Sequence, residues 1–451
     1  MDFMSFIPQF GGLLWTIAAF VLALSVIVAI HEYGHYIVGR WSGIHADVFS
    51  LGFGPVLWSR VDKRGTRWQV AALPFGGYVK FAGDANAASG KDEEAMAEVV
   101  DDPVRLRATM HGAPLWARTA TVAAGPVFNF ALSIAVFALI LLSTGVTRGQ
   151  LTVGELHPLP VENRGLQAGD VLLAVGGVPL PSTDDETYSG ALDGLERSPV
   201  VDITVERAGR EETVKGSWIF PPIVSSLSPQ SAAFDAGLEA GDVITAIDGA
   251  PIFAFDQLKE AVEGGEGAPL DLTVWRAGAA DTLAMTMTPR RVDEPQPDGG
   301  FETYWRIGIA GGFAFSPATT TPGVFEALGL GVQQTGRIIT SSLSGLGHMI
   351  AGSISTCNLS GPIGIAQTSG AMASQGAESF IWFIAVLSTA VGMLNLFPVP
   401  ALDGGHLVFY AYEAVSGKPP SDGALKVLMT LGLAMVLTLM VFALGNDIFC
   451  P

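Results

Sequence analysis

Two histidines and a glutamate near the N-terminus form the pattern His31-Glu32-Tyr33-Gly34-His35. In a helix, His31 and His35 lie one turn apart on the same face, where two imidazoles can bind a single zinc ion. Glu32 lies between them in the sequence and can act as the general base on water at the metal. The spacing therefore predicts zinc-dependent hydrolysis, with two histidine ligands and Glu32 as the catalytic base.

The element that positions this pattern is an apolar run from Leu13 to Ile30, which has no charged residue and about the length needed to cross a bilayer. No Lys or Arg precedes the run, and no small-residue cleavage site precedes the histidines. We therefore interpret the run as a retained transmembrane helix rather than a signal peptide. Further apolar runs, at about 116–144, 380–397 and 425–444, predict three more spans.

Composition supports a membrane protein and excludes one class of partner. Hydrophobic residues make up 49% of the chain and charged residues only 15%, whereas soluble domains usually contain about a quarter charged residues. The excess lies in a few long runs, which is typical of an integral membrane protein with polar domains between its spans. The net charge of -19 argues against binding to nucleic acid, which needs a basic surface.

Asp403, which follows the third apolar run, is a candidate third zinc ligand. An unpaired carboxylate inside a bilayer costs about 3 kcal/mol or more, so such acids usually bind a partner. Two neutral imidazoles and one carboxylate form a catalytic zinc set that leaves a fourth position open. Asn129, in the second span, is also polar at membrane depth, and it either joins helices or belongs to the site.

The distribution of basic residues predicts the topology. Residues 38–113 contain 9 Lys and Arg, against 12 in the much longer segment 146–380. The positive-inside rule then places 38–113 in the cytoplasm and the N-terminus outside. With four spans, the histidine motif and Asp403 both lie near the cytoplasmic side, at the same depth.

An internal repeat occupies the polar region between the second and third spans. Gly165–Val171 matches Gly237–Val243, and Asp202–Gly209 matches Asp271–Gly278. The two units resemble tandem PDZ domains, which bind an extended peptide or a chain end by adding it to a sheet edge. They could instead be rigid spacers with closed grooves.

The remaining segments give weaker signals. Residues 68–72 and 77–81 predict short strands, with Pro74 and the Gly76-Gly77 pair as turn signals, and these strands could form a membrane-re-entrant sheet. Residues 83–112 are polar and predict a surface loop, and 324–354 has the spacing of an interfacial or a core helix. The two cysteines, Cys357 and Cys450, can pair only if both face an oxidising compartment, which the sequence leaves open.

Taken together, these motifs resemble those of the site-2 proteases, a family of intramembrane zinc metalloproteases, over nearly the whole chain. The matching elements are His31–His35, Gly52–Pro55, Leu73–Lys80, Gly125-Pro126 with Asn129, the tandem repeat, Gly361–Gly364 and Asn395–Gly405. The resemblance implies that His31, His35 and Asp403 bind Zn²⁺, that Glu32 is the base, and that Asn395 holds the substrate or polarises its carbonyl. It also implies that the substrates are transmembrane segments of pre-trimmed proteins, such as anti-sigma factors and remnant signal peptides.

The predicted fold is an α-helical membrane protein with four transmembrane helices, a membrane-re-entrant β-sheet and two inserted extracytoplasmic PDZ domains. The resemblance further implies a bacterial inner membrane location, with the PDZ domains in the periplasm. The predicted segments are the first transmembrane helix (1–37), the re-entrant region and cytoplasmic loop (38–113), the second transmembrane helix (114–147), the two PDZ domains (148–218 and 219–291), a linker with an interfacial helix (292–375) and the last two transmembrane helices (376–451).

Two other functions compete with proteolysis. The first is a catalytically inactive, PDZ-containing membrane scaffold, against which the presence of Glu32 argues, because a structural metal site needs no base. The second is a zinc transporter, which is disfavoured because the histidines and acids form one site and no relay of such residues crosses the membrane.

Overall fold

The computed structural model describes residues 7–85, 90–160, 165–185, 188–190, 195–296 and 300–450. Its helices are, in chain order, α1 Ile7–Trp41, α2 Glu93–Val99, α3 Pro103–Arg107, α4 Leu115–Thr144, α5 Ala232–Asp235, α6 Phe255–Gly264, α7 Val324–Ile350, α8 Pro362–Ser374, α9 Ala377–Asn395, α10 Asp403–Ser416 and α11 Asp422–Phe449. Its strands are β1 Ala46–Val61, β2 Arg67–Phe81, β3 Val153–Leu156, β4 Val171–Val175, β5 Val178–Pro179, β6 Val200–Arg207, β7 Arg210–Ser217, β8 Ser226–Leu227, β9 Val243–Ile247, β10 Ala250–Pro251, β11 Leu270–Trp275, β12 Leu283–Met287, β13 Arg290–Pro295, β14 Phe301–Arg306, β15 Ile309–Ala310 and β16 Phe315–Pro317.

The chain divides into two compact units. The first contains the chain up to Leu139, Ala327–Ile350 and the chain from Thr356 onward. The second contains Ile140–Glu326 and Ala351–Ser355.

Four helices, α1, α4, α9 and α11, are long and apolar enough to cross a membrane, which confirms the predicted spans. Large apolar side chains such as Leu14 and Leu431 are mostly exposed on these helices, as expected where lipid rather than water surrounds them. Polar side chains are buried between the helices instead, and Asn129, Ser133 and Ser388 are fully buried. The protein is therefore a multi-span membrane protein.

The first membrane helix packs against the third through an apolar core. Ala23 and Ile27 of α1 are fully buried in one cluster with Phe383 and Ile384 of α9. Packing of this kind fixes the orientation of α1. The histidine motif lies on the same helix, so its orientation is fixed as well.

The C-terminal end of α11 is tied to the start of α8. The Asp447 carboxylate accepts hydrogen bonds from the backbone N–H groups of Gly361 at 2.7 Å and Ile363 at 2.9 Å. A carboxylate at a helix N-terminus satisfies free N–H groups and complements the helix dipole. The sequence left the pairing of the cysteines open, and in the structure Cys357 and Cys450 form a disulfide beside this contact.

The two strands of the first unit are longer than the sequence predicted. The expected short strands at 68–72 and 77–81 are both parts of β2, and the chain reverses between them, in the region of the predicted turn signals. Residues 48–51 of β1 pair both with 67–70 and with 77–80, so β2 bends and returns along β1. Gly76 has a φ of 141° at this bend, a conformation that favours glycine. Pro74 has no partner in the register, so its missing N–H breaks no ladder hydrogen bond.

The polar segment 83–112 contains two short helices rather than only a loop, although residues 86–89 lie outside the described part of the chain. The Asp92 carboxylate caps α2 by accepting a hydrogen bond from the Ala95 N–H at 3.0 Å. Asp102 caps α3 through the N–H groups of Val104 and Arg105. Two of the acidic residues that make the segment polar are thus N-caps, for which Asp is strongly preferred.

The sequence repeat is also a structural repeat. The first copy forms a four-stranded sheet of order β5-β4-β6-β7, and the second forms one of order β10-β9-β11-β12. Each copy has its own buried apolar core, centred on Leu172 and Ile203 in the first and on Ile244 and Leu272 in the second. Whether the two copies are PDZ domains stays a prediction.

Equivalent ion pairs fix the Gly-Asp turn in both copies. The buried Asp170 carboxylate binds the Arg207 guanidinium through two hydrogen bonds, of 2.7 and 2.6 Å, and Asp242 binds Arg276 in the same way. Burial alone would raise the pKa of Asp170, but the hydrogen bonds from Arg207 and from the backbone of Gln167 hold this pKa below its usual value. These bidentate pairs explain why the turn and the later strand repeat together in the sequence.

Candidate metal centre

Three side chains from two elements meet in the first unit. His31 and His35 lie one turn apart on α1, and Asp403 is the first residue of α10. The Nε2 atoms of the two histidines are 3.1 Å apart. Asp403 Oδ2 lies 3.2 Å from Nε2 of His31 and 3.5 Å from Nε2 of His35. Ligands that bind tetrahedral zinc at about 2.0–2.1 Å lie about 3.3 Å from one another. The three atoms therefore have the spacing of a zinc site.

The environment of these atoms also fits a cation. Asp403 Oδ2 is buried and makes no hydrogen bond of good geometry, although it faces both imidazoles. A buried carboxylate oxygen without a partner is costly, and a metal ion between the three atoms would satisfy it. Within the described ranges, this is the one group of His, Cys, Asp and Glu side chains with metal-site spacing.

Two glycines explain why α10 begins at Asp403. A Cβ on Gly404 would collide with the backbone oxygens of Leu396 and Phe397, and a Cβ on Gly405 would collide with that of Val399. The segment after α9 can therefore fold tightly against the start of α10 only with glycine at both positions. This tight turn sets the position of the Asp403 carboxylate.

A second pair of glycines brings α4 against the histidines. A Cβ on Gly34 would lie 2.6 Å from the backbone oxygen of Ala124, and a Cβ on Gly125 would collide with the imidazole of His35. A Cβ at Gly125 would also lie 2.8 Å from Cε1 of His31. Small residues of this kind allow close approach of membrane helices. Here they leave just enough space for the two rings.

The remaining ring nitrogens of both histidines face α4. His35 Nδ1 lies 2.9 Å from the backbone oxygen of Thr121, and His31 Nδ1 lies 3.2 Å from the side-chain nitrogen of Asn129. Hydrogen bonds at Nδ1 fix a ring and leave Nε2 for the metal. The sequence left the role of Asn129 open, and the structure brings it to the site.

Glu32 and Asn395, the other two predicted site residues, line the same cavity as the three ligands. The Glu32 carboxylate interacts with the backbone N–H of Val79 in β2. Asn395 is the last residue of α9, and its side chain donates a hydrogen bond to the backbone oxygen of Val391 at 3.1 Å. The structure thus brings all five predicted residues to one cavity, while their individual roles stay predictions.

Sequence reasoning missed several residues of this cavity. His406 lies one turn after Asp403 on α10 and lines the cavity, as do Tyr410 and the backbone of Thr121. Burial lowers the pKa of His406 and raises that of Tyr410, which favours the neutral form of both side chains. The spacing of three and seven residues from Asp403 could have indicated this face of α10, whereas a backbone carbonyl leaves no signal in the sequence.

Comparison with known proteins agrees with this geometry. Residues 19–439 match the model of peptidase family M50. The chain belongs to peptidase family M50. A protein of Agrobacterium fabrum that carries a provisional zinc-metalloprotease name is 37% identical over 447 residues, which are 97% of each chain. A protein of Vibrio cholerae with a similar provisional name is 32% identical over 466 residues, covering 96% of this chain and 98% of the relative.

A third relative has a more specific name. The regulator of sigma-E protease RseP of Salmonella typhimurium is 33% identical over 471 residues, covering 97% of this chain and 99% of the relative. This M50 protein is therefore similar to its relatives over nearly their whole length. It is a zinc metalloprotease, as the spacing of its histidines predicted.

Replacement of Gly125 with alanine tests the packing of α4 against the imidazoles. The added Cβ has no room beside His35 and His31, so we expect the rings to move and zinc affinity to fall about 10- to 100-fold, the range found when supports of metal ligands are changed. Zinc affinity is measured by competition with a chelator on the full chain in detergent. Gly445→Ala is the control, because a Cβ on Gly445 in α11 meets no atom within 4 Å. Equal affinity in both variants would contradict the packing argument.

Proposed function

We propose that this M50 protein hydrolyses peptide bonds within transmembrane segments of membrane proteins that another protease has already trimmed. One observation supports this most strongly: a hydrolytic ligand set, His31, His35 and Asp403, converges with Glu32 in one cavity beside membrane-spanning helices. A soluble protease has no need to build its site on such helices. A substrate that reaches this cavity laterally is itself in the membrane.

The proposed roles follow from the chemistry of each group. His31, His35 and Asp403 bind zinc, which supplies Lewis acidity that acidifies water and polarises a peptide carbonyl. The Glu32 carboxylate takes the proton from the attacking water and returns it to the leaving amine. Asn395 lines the cavity with its side-chain amide and is proposed to hold the substrate or polarise its carbonyl.

The variant Glu32→Gln separates proteolysis from the two alternatives. It keeps the shape of the side chain but cannot accept a proton, so we expect cleavage to fall by at least about 10²-fold with zinc content unchanged. The measurements are cleavage of a transmembrane reporter in reconstituted vesicles and zinc content of the purified chain. Unimpaired cleavage would refute the assignment of the base. An inactive scaffold or a zinc transporter would instead show no cleavage by the unchanged protein.

We propose that the edge of β2 holds the substrate in an extended conformation. A helix hides its carbonyl groups in its own hydrogen bonds, so a transmembrane substrate must unwind before it can be cleaved. Gly77, Tyr78 and Val79 of β2 line the cavity beside Glu32. Strand addition along this segment would replace the lost backbone hydrogen bonds without exposing them to lipid. This role would make the sheet the proposed re-entrant element.

Proline substitutions test whether the edge of β2 holds the substrate. Tyr78→Pro disturbs the strand that forms this edge, because Tyr78 pairs with Ser50 of β1. We expect it to lower cleavage about tenfold or more while zinc affinity stays the same, since one lost backbone hydrogen bond costs about 0.5–1.5 kcal/mol and the ring adds a steric conflict. Ser59→Pro lies in β1 at residues 56–61, the far end of the register, and is the matched control. Cleavage is compared in vesicles at equal zinc content. Equal cleavage by both variants would count against strand addition.

The proposed location is a bacterial inner membrane, with the repeat units in the periplasm and the zinc site near the cytoplasmic side. The basic residues support this orientation, since 9 of them lie in 38–113. The Cys357–Cys450 disulfide supports it independently, because disulfides persist in oxidising compartments such as the periplasm. Under this topology the C-terminal end of α11 and the segment before α8 lie on the same outer side.

We further propose that the two repeat units are PDZ domains that admit only substrates already trimmed outside the membrane. Each unit has the short edge strand of a four-stranded sheet, β5 or β10, and a domain of this kind can bind a peptide end by strand addition. Anti-sigma factors and remnant signal peptides are proposed substrates. The name of the Salmonella relative, a regulator of sigma-E protease, supports the first of these classes.

Removal of both repeat copies tests whether they exclude untrimmed substrates. Val146 pairs with Thr320 through two hydrogen bonds of 3.0 and 2.9 Å, so residues 147–319 can be replaced by a short Gly-Ser turn without separating the cut ends. We expect the shortened protein to cleave an untrimmed substrate at a rate similar to that for the trimmed one, whereas the full chain cleaves only the trimmed form. Both rates are measured in vesicles. Continued rejection of the untrimmed substrate would refute this role of the repeat copies.

A further inference from the structure

One polar side chain at the metal centre has no part in the mechanism described above. Asn129 is fully buried in α4, and its Nδ2 atom lies 3.2 Å from Nδ1 of His31. Its other side-chain atom, Oδ1, is buried without a hydrogen-bond partner. An unsatisfied amide oxygen inside a membrane-spanning helix is costly and calls for an explanation.

The chemistry of zinc-bound imidazole supplies an explanation for the position of this amide. A neutral histidine that binds a metal through Nε2 has its proton on Nδ1, and such histidines almost always donate that N–H to a carbonyl, a carboxylate or water. His35 has a partner of this kind, because its Nδ1 lies 2.9 Å from the Thr121 carbonyl oxygen. His31 needs an acceptor too, and the group beside its Nδ1 is the Asn129 amide.

A half-turn of that amide provides the acceptor. The nitrogen and oxygen of a carboxamide exchange places on rotation by 180°, with almost no change in shape. After this rotation Oδ1 lies where Nδ2 is now, within hydrogen-bonding distance of His31 Nδ1. The same movement gives the imidazole N–H an acceptor and places Nδ2 where Oδ1 is now.

We propose that Asn129 is a positioning residue that accepts a hydrogen bond from His31 Nδ1 through Oδ1 and so directs Nε2 of His31 toward zinc. This inference rests on the proposed assignment of His31 as a zinc ligand. It concerns the orientation and the tautomer of the ligand, and Asn129 itself touches neither metal nor substrate.

The backbone around Asn129 is held firmly enough for this role. Ser388 of α9 donates a hydrogen bond to the Asn129 backbone oxygen at 3.0 Å. The Ser133 hydroxyl lies 3.0 Å from the same oxygen and 2.8 Å from the backbone oxygen of Ala385 in α9. These contacts join α4 to α9 through the backbone of Asn129, independently of its side chain. They therefore provide a control that separates helix packing from support of His31.

Zinc affinity of the full chain in detergent tests the proposal, measured by competition with a chromophoric chelator. Asn129→Leu removes the acceptor but keeps the branching of the side chain, and we expect zinc to bind about 10- to 100-fold more weakly. Asn129→Asp keeps an acceptor oxygen at the same place, so we expect its affinity to stay within about threefold of the unchanged protein or to increase, as in carboxylate–histidine–zinc triads. Ser388→Ala removes the hydrogen bond to the Asn129 backbone oxygen but leaves the Asn129 amide in place. We therefore expect this variant to change zinc affinity less than about threefold.

A double-mutant cycle with His31→Ala decides whether the effect passes through His31. If it does, Asn129→Leu causes no further loss of zinc affinity once His31 is absent. Thermal unfolding of the zinc-free variants shows whether each is folded, and Asn129→Ala replaces the leucine variant if the latter does not fold.

Three results would overturn the proposal: unchanged affinity in Asn129→Leu, equal losses in Asn129→Leu and Asn129→Asp, or additive losses in the cycle. Each of these refutes the role of Asn129 while leaving the zinc site intact, provided that His31→Ala alone weakens binding. Unchanged affinity in His31→Ala would refute the proposed ligand set itself, together with the role of Asn129. The two failures are thus distinguishable.

Discussion

Three polar atoms within 3.5 Å of one another, at the level of membrane-spanning helices, are the constraint on which the first unit depends. Each of these groups is expensive to bury away from water unless a partner compensates for its lost hydration. A cation between them is such a partner, and it also requires that each ligand be held at its own angle. The surrounding helices must therefore pack closely and orient the imidazole rings. The site thus constrains the shape of the helix surfaces as well as their polarity.

Glycines meet the demand for close approach at each side of the centre. Gly34 and Gly125 let α1 and α4 touch where the imidazoles lie, and Gly404 and Gly405 let the chain turn tightly just where Asp403 is required. Glycine inside a helix costs roughly 1 kcal/mol relative to alanine, so its use at these positions follows from lack of space rather than from helix preference. The fold and the site thus share the same contacts, and a change that loosens one loosens the other.

Much of the site could be predicted from the sequence, because its ligands follow from local spacing. His31 and His35 share a helix face, and a lone acid after an apolar span requires a partner. The four spans followed from composition for the same reason. The pairing of β2 was not predictable in this way, since both of its halves pair with residues 48–51 of β1, and local spacing does not indicate which distant segment a strand pairs with. The helix α10 was also missed, although the spacing of Asp403, His406 and Tyr410 could have indicated the face that it turns to the cavity.

One face of α4 does contain a signal that was available. Thr121, Gly125, Asn129 and Ser133 recur at intervals of four in a largely apolar helix, and all four are buried. In order along the helix they provide a carbonyl for His35, space for both rings, an amide for His31 and a link to α9. Small and polar residues at this interval lie nearly in line, so Thr121, Gly125 and Asn129 all face α1, while Ser133 contacts α9. The two histidines are themselves four residues apart. Residues at intervals of four on a neighbouring helix can therefore contact both imidazole rings. A period of four shared by a metal motif and a nearby apolar span is therefore a physical reason, readable in the amino-acid sequence alone, to pair those two helices.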